Sequence, residues 1–398
     1  MKVRQWIILV ILGISSSVWA VTATTTGFAS LIGGDVTSGS PGTPGGSVGM
    51  GGTAPVVSVP SVDPVLQGGH CPCAMGNWPN VGVYGDHRFS IRPESRAGIQ
   101  ENLQFDNGIS MVGELTARLS PHQYGDVTPD WLYAGYNLTP SWTLQAGRKR
   151  LPIFMYSDFI DIGFDYPWMR PPGDLYGWQI DHYNGMNLLY NNTIQDVSVT
   201  WNIWTGAEHD RNNKMLQLMY YNTSPGDGSN GQPIDEYWYN MIGSYVDFSK
   251  DWWEVRVVYM QNEVTRSQAG AGTIHTGDHQ KFQGISVNLD PGNWVVRSEY
   301  NEFLRPSSTD LDYYHSSLLG VGYHIGNFLP MLTYSSFHED NYTGPYYAES
   351  HFTKTATIRW DFRRGMDLKV QYDDTVDHSH WPFLGNTKLV TAGFDMVF

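Results

Sequence analysis

His70-Cys71-Pro72-Cys73, with Met75 two residues on, is the sharpest chemical cluster in the chain. Thiolate, imidazole and thioether are ligands that suit Cu(I) or Zn. His70, Cys71 and Cys73 fall short of a complete ligand set, so an oxidised local pair or an inert tether is the simpler reading. No metal or other cofactor is assigned. The spacing is not that of a haem attachment site, because C-x-x-C-H is absent. Asp377-His378-Ser379-His380 offers two more imidazoles beside a carboxylate, in a segment that reads as a solvated loop. Gly45-Gly46-Ser47-Val48-Gly49 fits the Gly-x-Ser-x-Gly string only inside a low-complexity run, and no phosphate-binding loop or H-E-x-x-H occurs, so no local motif points to an enzyme.

The other chemical resource is charge placed at every second residue. In 352–362, Phe352, Lys354, Ala356, Ile358, Trp360 and Phe362 alternate with Thr353, Thr355, Thr357, Arg359 and Asp361. The stretches 109–119, 196–204, 294–300 and 366–372 alternate in the same way. Such a period sends successive side chains to opposite faces of a strand. The polar phase carries Arg96, Arg118, Arg256, Arg297, Arg359 and Lys369, with Glu114, Glu254, Glu299, Asp361 and Asp367. A separate group of charges lies in the connection 150–182: Arg150 and Arg170 with Asp158, Asp161, Asp165 and Asp174. That connection is long and rich in aromatics, which predicts a packed, functional loop.

A soluble sandwich would alternate too, so the elements decide the solvent. Short connections (106–108, 139–141, 249–251, 290–292 and 363–365) alternate with long ones around 150–182, 207–236, 265–280, 304–314, 339–350 and 375–387. Trp131, Trp142, Trp252, Trp253, Trp294 and Trp360 gather at strand ends, where a ring with one wet and one apolar side suits a membrane interface. Only 16% of residues are charged, against roughly 25% in soluble domains, while 15 Trp and 24 Tyr are present. The pattern predicts an all-β fold, a transmembrane antiparallel barrel with tight turns at one end. About fifteen strands are legible from Arg96 onward. Val83 to Ile91, with Phe89 and Ile91 outward and Arg88 inward, is the candidate for a sixteenth, giving the even number that bacterial barrels have.

Residues 1–20 have a basic start, an apolar run and Val18-Trp19-Ala20, the pattern of a secretory signal peptide. Residues 21–80 are low in complexity and predict a disordered periplasmic segment, with the barrel over 81–398. The formal charge of −15 argues against nucleic acid as a partner. Cys71 and Cys73, the only cysteines, are too close in sequence to staple the fold.

The signal peptide, the strand–turn–strand–loop rhythm and the final stretch 390–398 together resemble the general porins of Gram-negative bacteria, over roughly 81–398. The resemblance implies a water-filled barrel of about sixteen strands in the outer membrane, with both termini periplasmic. It implies that Phe394, Met396 and Phe398 belong to a signal read by the outer-membrane assembly machinery. It also implies that the third long loop folds inward, placing Asp158, Asp161, Asp165, Asp174, Arg150 and Arg170 at a constriction. Arg96, Arg118, Arg256, Arg297, Arg359, Lys369, Glu114, Glu254 and Glu299 would then line the pore wall. An acidic loop facing a partly basic wall would set a field across the pore and favour cations weakly. Ions and small hydrophilic solutes are the expected cargo, the lipid bilayer the solvent and a homotrimer the expected assembly. The competing readings are a barrel sheathing an electron-transfer cytochrome and an outer-membrane barrel enzyme.

Overall fold

The computed structural model describes residues 21–41, 74–77, 82–84, 88–120, 127–178, 180–213, 234–268, 272–306, 311–341, 349–378 and 385–398. Its strands in chain order are β1 (Val21–Pro41), β2 (Ala74–Asn77), β3 (Gly82–Tyr84), β4 (Arg96–Phe105), β5 (Ile109–Arg118), β6 (Val127–Asn137), β7 (Trp142–Arg150), β8 (His182–Ile194) and β9 (Val197–Asp210). They continue as β10 (Ile234–Lys250), β11 (Trp253–Gln268), β12 (Gly272–Leu289), β13 (Trp294–Pro306), β14 (Leu311–Tyr323), β15 (Phe328–Asn341), β16 (Ser350–Arg363), β17 (Met366–Asp377) and β18 (Gly385–Val397). Sixteen of them close into one antiparallel barrel; β2 and β3 pair as a separate hairpin. No helix among the described residues is long and apolar enough to cross a membrane.

Alternation sorts the two faces as predicted. On β16, Ile358, Trp360 and Phe362 are exposed on the outside, while Thr355 and Thr357 are buried on the inside. The outer face is apolar along most of the ring, with Leu31, Ile99, Met111, Leu132, Met186, Val257, Ile285, Leu319, Leu332 and Val370 all exposed. Every ladder closes on a neighbour, so no barrel edge is left unpaired, as hydrocarbon demands. At the short-turn end Trp142 packs tilted against Tyr190 (4.8 Å) and Trp201 (6.0 Å), Trp294 meets Tyr323 edge to face (4.9 Å), and Phe328 stacks on Trp360 (5.6 Å). These form the aromatic girdle of that rim. Trp131 departs from the expected girdle. It pairs with the inward-facing Glu114, and the Lys149 ammonium lies over its ring.

The N-terminal reading needs correction. Val21 to Pro41 is a barrel strand rather than a disordered segment: β1 pairs with β18 over Phe28–Pro41 and with β4 over Val21–Ser30. Its Thr, Gly and Ala side chains carry little hydrophobic signal. Backbone pairing does not depend on side-chain type, and β1 satisfies the otherwise open edges of β4 and β18. The barrel therefore begins at Val21, not near Val81, and β1 is the sixteenth strand. Val83 to Ile91 is not a barrel strand. Ser90 exchanges two backbone hydrogen bonds with Gly34 (2.9 and 3.0 Å), and Phe89 lies over the outer face of Gly33. Residues 42–95 thus connect two strands at the long-loop end, not at the short-turn end where a periplasmic tail was expected. Residues 1–20, expected to be a signal peptide, and the His70-Cys71-Pro72-Cys73 cluster lie outside the described residues, as do Ser379 and His380.

Strands also run further than hydropathy suggests. Most of the expected loop 265–280 is strand, since β11 reaches Gln268 and β12 starts at Gly272, with two register shifts between them. Alternation stops where both faces meet water, but the hydrogen-bond ladder continues past that level.

Candidate constriction in the barrel lumen

The connection between β7 and β8 enters the barrel, as the sequence predicts. Its neck is closed by the Leu151 amide donating to the Asp181 carbonyl (2.9 Å) and by the Arg150–Asp181 ion pair (3.0 Å). Gly147, one turn of strand earlier, has φ +144°, and a Cβ there would sit 2.3 Å from the Leu132 carbonyl oxygen. Only glycine lets β7 bend against β6 at this point. Inside, the segment folds into two short 3-10 turns (157–159 and 163–165) and one helical turn, α1 (Gly173–Tyr176).

Side chains of the wall hold this loop from all around. Asp161 accepts from Arg118 (2.7 Å) and Arg150, and lies 3.4 Å from Arg96. Asp130 on β6 accepts from Arg118 (2.6 Å) and Arg150 (2.9 Å) and completes a network of buried charges. Three of the wall arginines bind loop carbonyls. Arg96 donates to the Asp161 carbonyl (2.8 Å), Arg256 to that of Phe154 (2.9 Å), and Arg359 to those of Phe164 (2.7 Å) and Tyr166 (3.0 Å). Lys369 donates to the Gly163 carbonyl and to Asp395. Arg170 reaches Glu94 (3.0 Å) and Asp373 (2.7 Å). Asp174 accepts from Ser335 and lies 2.5 Å from His351.

The loop bridges the full width of the lumen. Glu299 on β13 accepts from the Met155 amide (3.3 Å) and the Tyr176 hydroxyl (2.8 Å). Arg118, which holds Asp161, is on β5. In the ring of sixteen, β5 and β13 stand eight positions apart, on opposite walls. An apolar core fills the space between: Phe154, Tyr156, Trp168 and Tyr176 of the loop belong to one buried cluster with the inward Trp238, Met260, Phe282 and Phe303. Trp168 also donates to Thr333 (2.7 Å).

This arrangement revises the expected field across the pore. Asp161 and Asp174 are buried and paired, Arg150 and Arg170 are paired, and Arg96, Arg118, Arg256, Arg359 and Lys369 are engaged in holding the loop. Burial alone would raise the Asp161 carboxyl, but Arg118 and Arg150 outweigh it and hold it below the ordinary carboxylate value. Asp165 is exposed and Asp158 half-buried, and neither joins an ion pair among the described residues. Burial pushes the Asp158 carboxyl up, against the pull of Arg256 and Lys149. A cavity of about 580 Å³ opens below the loop, lined by Gln100, Glu114, Ile162, Asp165 and Arg364 among others. Glu254 and Arg297 face inward near the short-turn rim, where they bind Asn288 (3.0 Å) and Asp290 (2.9 Å); Asn288 in turn accepts from the loop's Tyr156 hydroxyl (3.0 Å). Four further carboxylates join these networks: Glu94 from the turn before β4, and Asp130, Asp373 and Asp395 from inward positions of β6, β17 and β18. Alternation alone would have assigned the two on β17 and β18.

No family model and no curated protein sequence matches the chain. Solved structures do. The outer membrane channel DcaP of Acinetobacter baumannii aligns over 97% of this chain and 99% of its own, with TM-score 0.57 and 11% identity. OmpF of Salmonella typhi, solved with daunomycin, aligns over 94% and 97%, with TM-score 0.55 and 12% identity. An anion-selective porin from Comamonas acidovorans aligns over 95% and 100%, with TM-score 0.53 and 10% identity. At such identities the likeness is one of fold, and the fold of this chain is the sixteen-stranded porin barrel.

Proposed function

We propose that this protein is a diffusion channel of a Gram-negative outer membrane, passing ions and small hydrophilic solutes through a lumen narrowed by residues 151–181. The observation that carries this reading is the loop bridged between β5 and β13 inside a closed barrel with a lipid-compatible outer face. A barrel of this size leaves an aqueous interior unless something fills it, and here the filling is one loop pinned by the wall's own charges. The tight-turn end, which carries Val21 and Phe398, faces the periplasm and the long loops face outward. Residues 1–20 are removed on export. The last strand, with Phe394, Met396 and Phe398, serves as the assembly signal, and the channel assembles as a trimer.

A weak cation preference is supported by Asp158 and Asp165, the loop carboxylates left outside ion pairs, and by the formal charge of −15. The loop's occupation of the lumen counts against a sheathed cytochrome, which needs that space. His182 and His351, both buried against carboxylates, read as loop anchors rather than catalytic bases. The test is current through the purified protein in a planar bilayer under a salt gradient. Stepwise ohmic current with a reversal potential of cation-selective sign is the expected result. Silence from a verified folded barrel overturns the channel reading.

A further inference from the structure

Below the docked loop, charges of opposite sign face one cavity and have no partner of their own. The cavity of about 580 Å³ opens toward the short-turn end, and its size is that of a site for a small organic ligand. On one side stands Glu114 of β5. It is 6% exposed, lines the cavity, and joins no hydrogen bond or ion pair among the described residues. Arg118, two inward positions further along β5, is spent on Asp130 and Asp161. A buried carboxylate without a partner is costly and calls for an explanation.

The neighbours of Glu114 extend the site. Strand register places Thr26 of β1 and Gln100 of β4 in one row with it, and neither side chain bonds to another described residue. Asp165 of the loop adds a second carboxylate outside any ion pair among the described residues. On the other side is Arg364, in the tight turn between β16 and β17, where Gly365 at φ +73° reverses the chain. Arg364 is exposed and likewise joins no ion pair among the described residues. Phe28 and Ile162 give the same cavity an apolar patch.

A lone cation in this cavity is drawn to Glu114 and Asp165 but opposed by Arg364, and a lone anion meets the reverse. A solute that carries both charges satisfies both ends through charge-assisted hydrogen bonds. We propose that the cavity is a binding site for zwitterionic solutes of amino-acid or dipeptide size. The ammonium group sits on Glu114 and Asp165, the carboxylate on Arg364, and an apolar side chain on Phe28 and Ile162. Gln100 and Thr26 supply polar contacts to a peptide group. The inference rests on the channel reading for the route: a solute that has passed the loop pauses here before it leaves at the short-turn end.

The experiment uses the full chain, purified as the folded barrel in detergent, and three probes. Glycyl-leucine carries both charges, its C-terminal amide keeps only the positive one, and its N-acetyl form keeps only the negative one. Saturation-transfer NMR titrations read binding whether or not the barrel conducts. Glycyl-leucine is expected to bind about tenfold more tightly than either derivative, the effect of one charge-assisted contact. Arg364→Gln, on an exposed turn away from the wall packing, is expected to erase its advantage over the amide. Glu114→Gln is expected to shrink its advantage over the acetylated form. No binding, equal binding of the three probes, tightest binding by either derivative, or an unchanged ranking in Arg364→Gln overturns the site. Bilayer current from the same preparations keeps the two claims apart. A conducting barrel without preference for the dipeptide sinks the site and spares the channel, whereas a silent barrel that ranks the probes as expected does the reverse.

Discussion

Asp161 stands where three guanidinium groups meet, and its loss shows what the network does. Removing one partner of a buried ion pair leaves the others uncompensated, at a cost of about 3–5 kcal/mol. Asp161→Asn is therefore expected to loosen loop docking, widen the channel and shift its selectivity toward anions, because Arg96, Arg118 and Arg150 lose a shared acceptor. Single-channel conductance and reversal potential check this, and unchanged values for both contradict it. Acidification separates two carboxylates. Burial raises Asp158 and so lets it protonate above the ordinary carboxylate range. Cation preference should then fade as pH drops into that region, read as a reversal potential moving toward zero. Asp174 behaves oppositely. Burial would raise it, but the hydrogen bond and charge of His351, with Ser335, hold it below its ordinary value. Its contribution to docking is present above that ordinary value and is lost only as pH falls through the depressed one. Conductance should stay constant over the range where selectivity first changes.

At the scale of elements, Gly147 is the most exacting position on the path into the lumen. Gly147→Ala has to relieve a clash with the β6 backbone and adopt a φ that L-residues avoid, which costs about 1–3 kcal/mol. A lower unfolding temperature of the detergent-solubilised barrel, without loss of strand content, is the expected readout. The sequence shows this loop well, because aromatic density and length mark it as packed. It shows the charged wall well too, because Arg96, Arg118, Arg256 and Arg359 fall on the polar phase and do face inward. It does not show what the charges do. Alternation reports a side chain's face but not its partner, so an ion-paired anchor and a free pore charge look alike. β1 is hidden for another reason. A strand of Thr, Gly and Ala, whose outward Gly27 and Gly33 lie under the rings of Phe398 and Phe89, has no strong hydropathy signature of its own, and only the need to close the ring reveals it.

The whole molecule depends on that closure. Deleting residues 21–41 leaves β4 and β18 with open edges in hydrocarbon, which β barrels do not tolerate. A chain made without them, but with its export signal retained, should fail to give a heat-modifiable band on a gel; a folded, migrating barrel would contradict the role of β1. The central claim is that one docked loop sets the bore of the channel. The most direct measurement is a paired planar-bilayer recording of the wild-type protein and a variant in which 152–180 is replaced by a short Gly-Ser linker. The account predicts small ohmic steps from the first and steps several-fold larger from the second. Equal conductance from both, or silence from both folded barrels, would contradict it.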